Sequence, residues 1–122
     1  DPPRVHISES ADLGETWTTT IKSEIPNTAS VELLVLKDGR LAFLGNDIAD
    51  GRYRFQLYLS EDEGKIWKWK IPIENVEPGK GGFSYPSLIQ TQDGMLRMTY
   101  SSHVGTDQKS IKYVVVDPSK IK

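Results

Sequence analysis

Residues 10–17 read SADLGETW, and residues 60–67 read SEDEGKIW. Both octets follow the pattern S-x-D-x-G-x-x-W, and their tryptophans, Trp17 and Trp67, stand 50 positions apart (67 − 17 = 50). Repeats of roughly 40–50 residues are typical of propeller blades and of some solenoid turns. The spacing therefore favours a repeated all-β architecture, and a chain of 122 residues holds only about two such units.

The octet has the physical logic of a tight turn. An Asp ahead of a Gly folds its carboxylate onto nearby backbone N–H groups, and the Gly adopts a positive φ that other residues resist. The Trp then begins a strand and places a large ring between packed sheets, which we favour over stacking on a sugar. The residues that we assign to this structural role are Ser10, Asp12, Gly14, Trp17, Ser60, Asp62, Gly64 and Trp67.

Short apolar or alternating segments bounded by turn residues fill the rest of the chain, as in all-β proteins. We predict strands at 4–9, 17–21, 30–36, 41–45, 53–59, 67–73, 87–91, 96–101 and 111–116, and no helix of normal length. Asp-Gly pairs at 38–39 and 93–94 predict hairpin turns, and the Gly- and Pro-rich residues 75–82 predict a connection. Alternation predicts that Trp67, Trp69 and Ile71 share one face.

These segments predict a partial propeller of four-stranded antiparallel blades. Residues 4–21 form the end of one blade, residues 30–73 a complete blade and residues 85–117 most of the next. A closed propeller needs at least about four blades. We therefore expect exposed sheet edges, through which copies of the chain could associate with each other.

Composition excludes several classes of function. The net charge is −2 with acids and bases interspersed, so we expect neither nucleic acid nor a membrane as a partner. The chain has no Cys and only two His, and its D-x-G loops lack the ligand series and terminal Glu of a calcium loop. We therefore expect no metal and no cofactor.

The octet resembles the Asp-box, or BNR repeat, of sialidases (neuraminidases) and related propellers. Residues 83–100, FSYPSLIQTQDGMLRMTY, resemble the last blades of sialidase-like proteins, and residues 111–114, IKYV, are similar to the segment that ends them. Arg52 precedes Ser60 by eight positions (60 − 52 = 8), as an Arg does in sialidases. The resemblance covers residues 4–117, and it implies the C-terminal portion of a six-bladed propeller.

The resemblance also implies a function. In sialidases three arginines bind the substrate carboxylate, a Tyr assisted by a Glu is the nucleophile and an Asp is the acid/base. Arg52 falls at the third arginine and Tyr85 at the nucleophile, with Pro86 intervening before Ser87. Nothing in the chain matches the other groups, so we expect it to be inactive by itself. The longer protein is expected to hydrolyse terminal sialic acid or a related acidic sugar, outside the cytoplasm: secreted, periplasmic or at the cell surface.

Three further residues are candidate contacts to the sugar. Arg54 competes with Arg52 because residues two apart in a strand share a face. Asn46 follows an apolar strand, where it either lines the pocket or serves the turn, and Glu32 is either a pocket residue or a salt-bridge partner. The alternatives to a sialidase are a glycosidase of different specificity and a non-catalytic propeller that binds carbohydrate or acts as a scaffold.

Overall fold

The computed structural model describes residues 1–105 and 108–122, and within that part nine strands form three antiparallel sheets. The strands are β1 (Arg4–Ile7), β2 (Ile21–Pro26), β3 (Glu32–Val35), β4 (Leu41–Gly45), β5 (Arg54–Ser60), β6 (Trp69–Asn75), β7 (Gly81–Gln90), β8 (Leu96–Val104) and β9 (Gln108–Val116). The first sheet is β1–β2, the second β3–β4–β5–β6 and the third β7–β8–β9. A single 3-10 turn, Pro118–Lys120, is the one helical element among the described residues. The predicted all-β chain of blade-like antiparallel sheets is confirmed.

Both predicted Asp-Gly hairpins form. Gly39 has a φ of +90° between β3 and β4, and Gly94 has a φ of +87° between β7 and β8. In each turn the Asp carboxylate accepts a bond from the backbone N–H two residues later, at 3.0 Å for Asp38 and 3.1 Å for Asp93. These turns fix the register of the second and third sheets.

The two octets close tight turns through their own side chains. Ser60 Oγ accepts a bond from Gly64 N at 2.9 Å and donates to Asp62 Oδ1 at 2.7 Å. The same carboxylate oxygen accepts from Ile66 N at 2.8 Å. The first octet has the equivalent three bonds, each 2.8 Å long. The Ser and Asp side chains of both octets are thus bound to their own turns.

The strands that leave the octets begin later than the sequence predicted. β2 begins at Ile21 and β6 at Trp69, four and two residues after the expected starts (21 − 17 and 69 − 67). After the first octet, Thr18 N donates to the carbonyl oxygen of Glu9 at 2.8 Å, and Thr18 Oγ1 accepts from Glu9 N at 2.9 Å. These bonds close the base of the loop before the regular ladder starts.

Two apolar cores lie on opposite faces of the second sheet. Leu57 and Leu59 of β5 belong to the larger core, which they share with Phe83 of the third sheet. Tyr58, between them in sequence, belongs to the smaller core, which it shares with Ile25 of the first sheet. The second sheet is therefore packed between its two neighbours, as a propeller blade would be.

The tryptophans around β6 separate onto these two faces. The Trp67 ring lies 5.8 Å from the Phe43 ring in the smaller core, whereas Trp69 and Ile71 pack against the larger core. The prediction that the three share one face is wrong for Trp67, because this residue precedes β6 and strand alternation starts only at position 69. Trp17, the equivalent of Trp67 in the first octet, is 63% exposed.

The third sheet is longer than predicted at the end that carries residues 81–84, 101–104 and 108–110. β7 begins at Gly81, inside the predicted connection. The strand contains glycine at this position because β7 and β8 approach each other too closely for a side chain. A Cβ on Gly81 would lie 2.7 Å from the carbonyl oxygen of His103. β8 and β9 likewise extend beyond residues 96–101 and 111–116, and their extended ends form a hairpin wall beside β7.

Candidate functional site

A cavity of about 580 Å³ opens where the long end of the third sheet meets the loop between β4 and β5. Its lining includes Arg52 from this loop, Ser84 and Tyr85 from β7, Ser101 and His103 from β8, and Lys109 from β9. Ligand pockets in proteins commonly measure about 300–1,000 Å³. The cavity therefore has the size of a site for a small molecule or a sugar.

The backbone of Arg52 is held against the third sheet. Its carbonyl oxygen accepts a bond from Phe83 N at 2.8 Å. Gly82 lies beside Arg52, and a Cβ at position 82 would be in ordinary van der Waals contact with the Cβ of Arg52, at 3.7 Å. The side chain of Arg52 is thereby directed along the wall that the third sheet supplies.

A β-bulge presents Tyr85 to the cavity. Ser84 pairs with Ser101 and Ser87 with Thr99, so Tyr85 and Pro86 together oppose one residue of β8. Tyr85 has a φ of +55°, in the left-handed region that a bulky residue rarely adopts, and Pro86 has no N–H that the ladder would miss. Such conformations persist only where the surrounding structure enforces them, and they concentrate at functional sites.

Arg52 and Tyr85 are in contact within the cavity. The Arg52 guanidinium carbon lies 5.8 Å from the centroid of the Tyr85 ring, within the range of a cation–π interaction. The Tyr85 side chain is 68% exposed. The structure thus brings together the two residues for which the sequence predicted a carboxylate-binding and a nucleophilic role, and those roles stay predictions.

Asn46 is fully buried and joins three segments of backbone. Its Nδ2 donates to the carbonyl oxygens of Arg54 at 2.8 Å and Phe83 at 2.9 Å, and its backbone N donates to Asn27 Oδ1 at 3.2 Å. This side chain supports the loop that carries Arg52, and we assign it no contact with a ligand.

Arg54 points away from the cavity. Its guanidinium donates to Asp47 Oδ2 at 2.9 Å, and this carboxylate also accepts from Gln56 Nε2 at 3.2 Å. The pKa of the Tyr58 phenol is raised, mainly by burial and secondarily by the neighbouring Asp47 carboxylate. The prediction that Arg54 shares a face with Arg52 is wrong, because residue 52 lies before β5 and alternation does not extend to it.

Glu32 is half-buried on β3, where it pairs with Leu44, and the described lining of the cavity does not include it. A second cavity, of about 610 Å³, lies between the first and second sheets. Apolar side chains such as Val5, Leu33 and Trp67 line much of it. Charged side chains, including Glu9, Lys22 and Glu63, line the rest, so this second space is a mixed cleft between the two sheets.

The contribution of the β8–β9 hairpin to the cavity was not predicted from the sequence. His103 and Lys109 are paired directly across the two strands, and both line the cavity with Arg52. None of the described lining residues is an Asp or a Glu. The S-S-H and K-S segments at 101–103 and 109–110 were the available signal, but only the register of the hairpin makes them neighbours.

The described residues contain no group of three or more His, Asp or Glu side chains positioned to hold a metal ion. Within the same part of the chain, no helix has the length and apolar character needed to cross a membrane.

Comparison with known proteins identifies the family. Residues 2–98 match the model of the BNR repeat-like domain, a span that includes both octets, Arg52 and Tyr85. No curated protein matches the chain. Since the match extends over most of the sequence, the chain belongs to the BNR repeat-like domain family.

Proposed function

We propose that the cavity beside the third sheet binds the carboxylate of an acidic sugar, terminal sialic acid or a close relative. The observation that carries this proposal is the contact between Arg52 and Tyr85, at 5.8 Å, inside the cavity of about 580 Å³. A guanidinium binds a carboxylate through two parallel hydrogen bonds. The Tyr85 hydroxyl is a donor and acceptor for the sugar ring.

The charge of the lining supports an anionic ligand. Arg52 and Lys109 are cationic, and the described lining residues include no carboxylate. The whole chain, in contrast, has a net charge of −2. A positive cavity in a weakly acidic chain favours an anion over a neutral sugar.

For the chain by itself the proposed role is recognition. Sialidase chemistry combines a Tyr nucleophile with carboxylates that act as its base and as acid/base, and the described lining offers only Tyr85 from this set. Catalytic groups that act as a unit lose most of their effect when partners are missing. In a longer protein that supplies those partners, Tyr85 is the proposed nucleophile of a sialidase-like glycoside hydrolase.

The binding test uses the methyl α-glycoside of N-acetylneuraminic acid, titrated into the chain and followed by amide chemical shifts. Arg52→Gln is expected to weaken binding by at least about tenfold, since one charge-assisted pair is lost. Arg54→Gln is the matched control and leaves the affinity unchanged, because Arg54 is paired with Asp47 elsewhere. Equal affinities for the wild type and Arg52→Gln would refute the proposal.

The alternative is a non-catalytic propeller that binds carbohydrate or acts as a scaffold. In its favour, the Ser and Asp side chains of both octets are engaged in closing their own turns, so the repeated motif is a folding device. Hydrolysis of a fluorogenic sialoside by a longer protein that contains these blades separates the two readings. Turnover that Tyr85→Phe abolishes favours the hydrolase, and absence of turnover in the wild type favours the alternative.

A further inference from the structure

The extended end of the β8–β9 hairpin brings two basic side chains to one wall of the cavity. His103 and Lys109 are directly opposite each other in the antiparallel register, and both line the cavity. The Cβ atoms of such a pair lie about 4.5–5.5 Å apart on the same face of the sheet. Directly opposed basic groups repel each other when both are charged, and an anion between them removes the repulsion.

Hydroxyl groups surround this pair. Ser84 and Ser101 also line the cavity, pair with each other across β7 and β8, and share the face of His103, which stands two residues after Ser101. A hydroxyl donates a hydrogen bond to an anionic oxygen and tolerates rotation of the anion. The hairpin wall therefore offers the Lys109 ammonium, the His103 imidazole and serine hydroxyl donors to the oxygens of one anionic group.

The two basic parts of the cavity come from different sheets. Arg52 belongs to the loop before β5 of the second sheet, and the hairpin belongs to the third sheet. Gly82 lies against Arg52 and pairs with His103, so the two basic parts are adjacent and a ligand with two anionic groups can contact both. The cavity volume, about 580 Å³, leaves room for such a ligand.

We propose that His103 and Lys109 form a second anion subsite, and that the preferred ligand is a dianionic carbohydrate. The assignment of one ligand carboxylate to Arg52 rests on the proposed function above. The second group is a sulfate ester or a further carboxylate, whose shared chemistry is a set of anionic oxygens. The subsite determines specificity and takes no part in bond cleavage.

The test compares three ligands by calorimetry: methyl α-sialoside, with one carboxylate, α2,8-linked disialic acid, with two, and sialyl 6-sulfo-N-acetyllactosamine, with a carboxylate and a sulfate ester. At least one dianionic ligand is expected to bind at least about tenfold more tightly than the methyl sialoside. Tighter binding of disialic acid would identify the second group as a carboxylate, and tighter binding of the sulfated sugar would identify it as a sulfate ester.

Lys109→Gln and His103→Gln are each expected to abolish this preference, so that the tighter dianionic ligand and methyl α-sialoside bind the variant with equal affinity. Lys120→Gln, a substitution at an exposed lysine outside the cavity lining, is the matched control and retains the preference. Equal affinity of the wild type for all three ligands would overturn the inference and leave the proposed function standing.

Inorganic sulfate, titrated at constant ionic strength against chloride, tests the subsite without any sugar. Shifts of the Ser101 and Ser110 amides that Lys109→Gln removes support the subsite, even if methyl α-sialoside fails to bind and the proposed function falls. Shifts that persist in both hairpin variants, or no shifts at all, contradict it.

Discussion

The side-chain Nδ2 of Asn46 lies 2.9 Å from the carbonyl oxygen of Phe83, in the buried space between the second and third sheets. Asn46 is the first residue of the loop between β4 and β5 that carries Arg52, and Phe83 stands two residues before Tyr85. One buried hydrogen bond therefore couples the two halves of the candidate site. Because the bond is inaccessible to water, losing it leaves polar groups without partners.

Asn46→Ala is expected to lower the free energy of unfolding by about 2–4 kcal/mol, because two backbone carbonyls lose a donor in a buried site. Urea denaturation measures the change. The matched control is Asn75→Ala, at an exposed position, which is expected to change the free energy by less than about 0.5 kcal/mol. Equal effects of the two substitutions would contradict the role assigned to Asn46.

One difference between the octets lies at the residue before the tryptophan, where the two side chains can be interchanged by mutation. Thr16 Oγ1 donates to Asp12 Oδ2 at 2.6 Å, and Ile66 occupies the equivalent position in the second octet. The pKa of Asp12 is lowered to about 2 by hydrogen bonds from the Thr16 hydroxyl, the Thr16 backbone N–H and the Ser10 hydroxyl. The pKa of Asp62 is also lowered, mainly by the hydrogen bond from the Ile66 backbone N–H and secondarily by that from the Ser60 hydroxyl.

Thr16→Val is therefore expected to raise the pKa of Asp12 toward 3.8, and Ile66→Thr to lower the pKa of Asp62 further. Carboxyl carbon shifts recorded against pH measure both changes. Since each folded-state pKa is depressed, the carboxylate contributes stability above pH 3.8, and for Asp12 this contribution disappears as the pH falls toward about 2. Unchanged pKa values in both variants would show that the threonine hydroxyl has no influence on the turn.

The positive φ of Tyr85 predicts a conflict between stability and binding. Asn tolerates the left-handed region better than Tyr, so Tyr85→Asn is expected to raise the free energy of unfolding by about 0.5–1 kcal/mol. The same change removes the ring that contacts Arg52 and is expected to weaken sugar binding. Thermal unfolding and ligand titration measure the two effects.

Ile89→Asn is the control for Tyr85→Asn, because Ile89 is exposed on the same strand and has no positive φ. It is expected to destabilise the chain by about 0.5–1 kcal/mol, since β-branched residues favour strands and Asn does not. A loss of stability in both variants would contradict the inference of backbone strain at Tyr85.

Arg40 connects the β3–β4 turn to the C-terminal residues. Its guanidinium donates to the carbonyl oxygens of Ile121 at 2.7 Å and Pro118 at 2.8 Å, and it pairs with Asp38. Arg40→Met is expected to accelerate amide exchange at residues 119–122 and to raise the pKa of Asp38, which the Arg40 hydrogen bond now lowers. Asp38→Asn, which keeps the carbonyl contacts, is expected to leave this exchange unchanged.

Much of the fold was predictable because its turns are local. Asp38-Gly39, Asp93-Gly94 and the two octets each contain the donors, acceptors and glycines that close them, so adjacent residues carry the information. Strand limits were less predictable. Gly81 looked like part of a linker, and only the nearby carbonyl oxygen of His103 explains why a strand contains glycine there.

The candidate site was predictable only in part, because its residues meet through contacts between distant parts of the sequence. Resemblance indicated Arg52 and Tyr85 one by one, but their contact depends on a bulge and on packing between two sheets. His103 and Lys109 become neighbours only through the pairing of β8 with β9, so the polar segments that contain them do not by themselves indicate a shared site. The burial of Asn46 likewise depends on the third sheet, which a sequence window around residue 46 does not contain.

The unequal environments of Trp17 and Trp67 have an optical consequence. Trp67 is packed in the smaller core with Phe43 and Tyr58, whereas the equivalent ring of Trp17 is 63% exposed to water. Indole emission moves to shorter wavelength when the ring passes from water into an apolar contact. The chain therefore carries an intrinsic fluorescent reporter of anything that covers its first octet, whether another blade or a second copy.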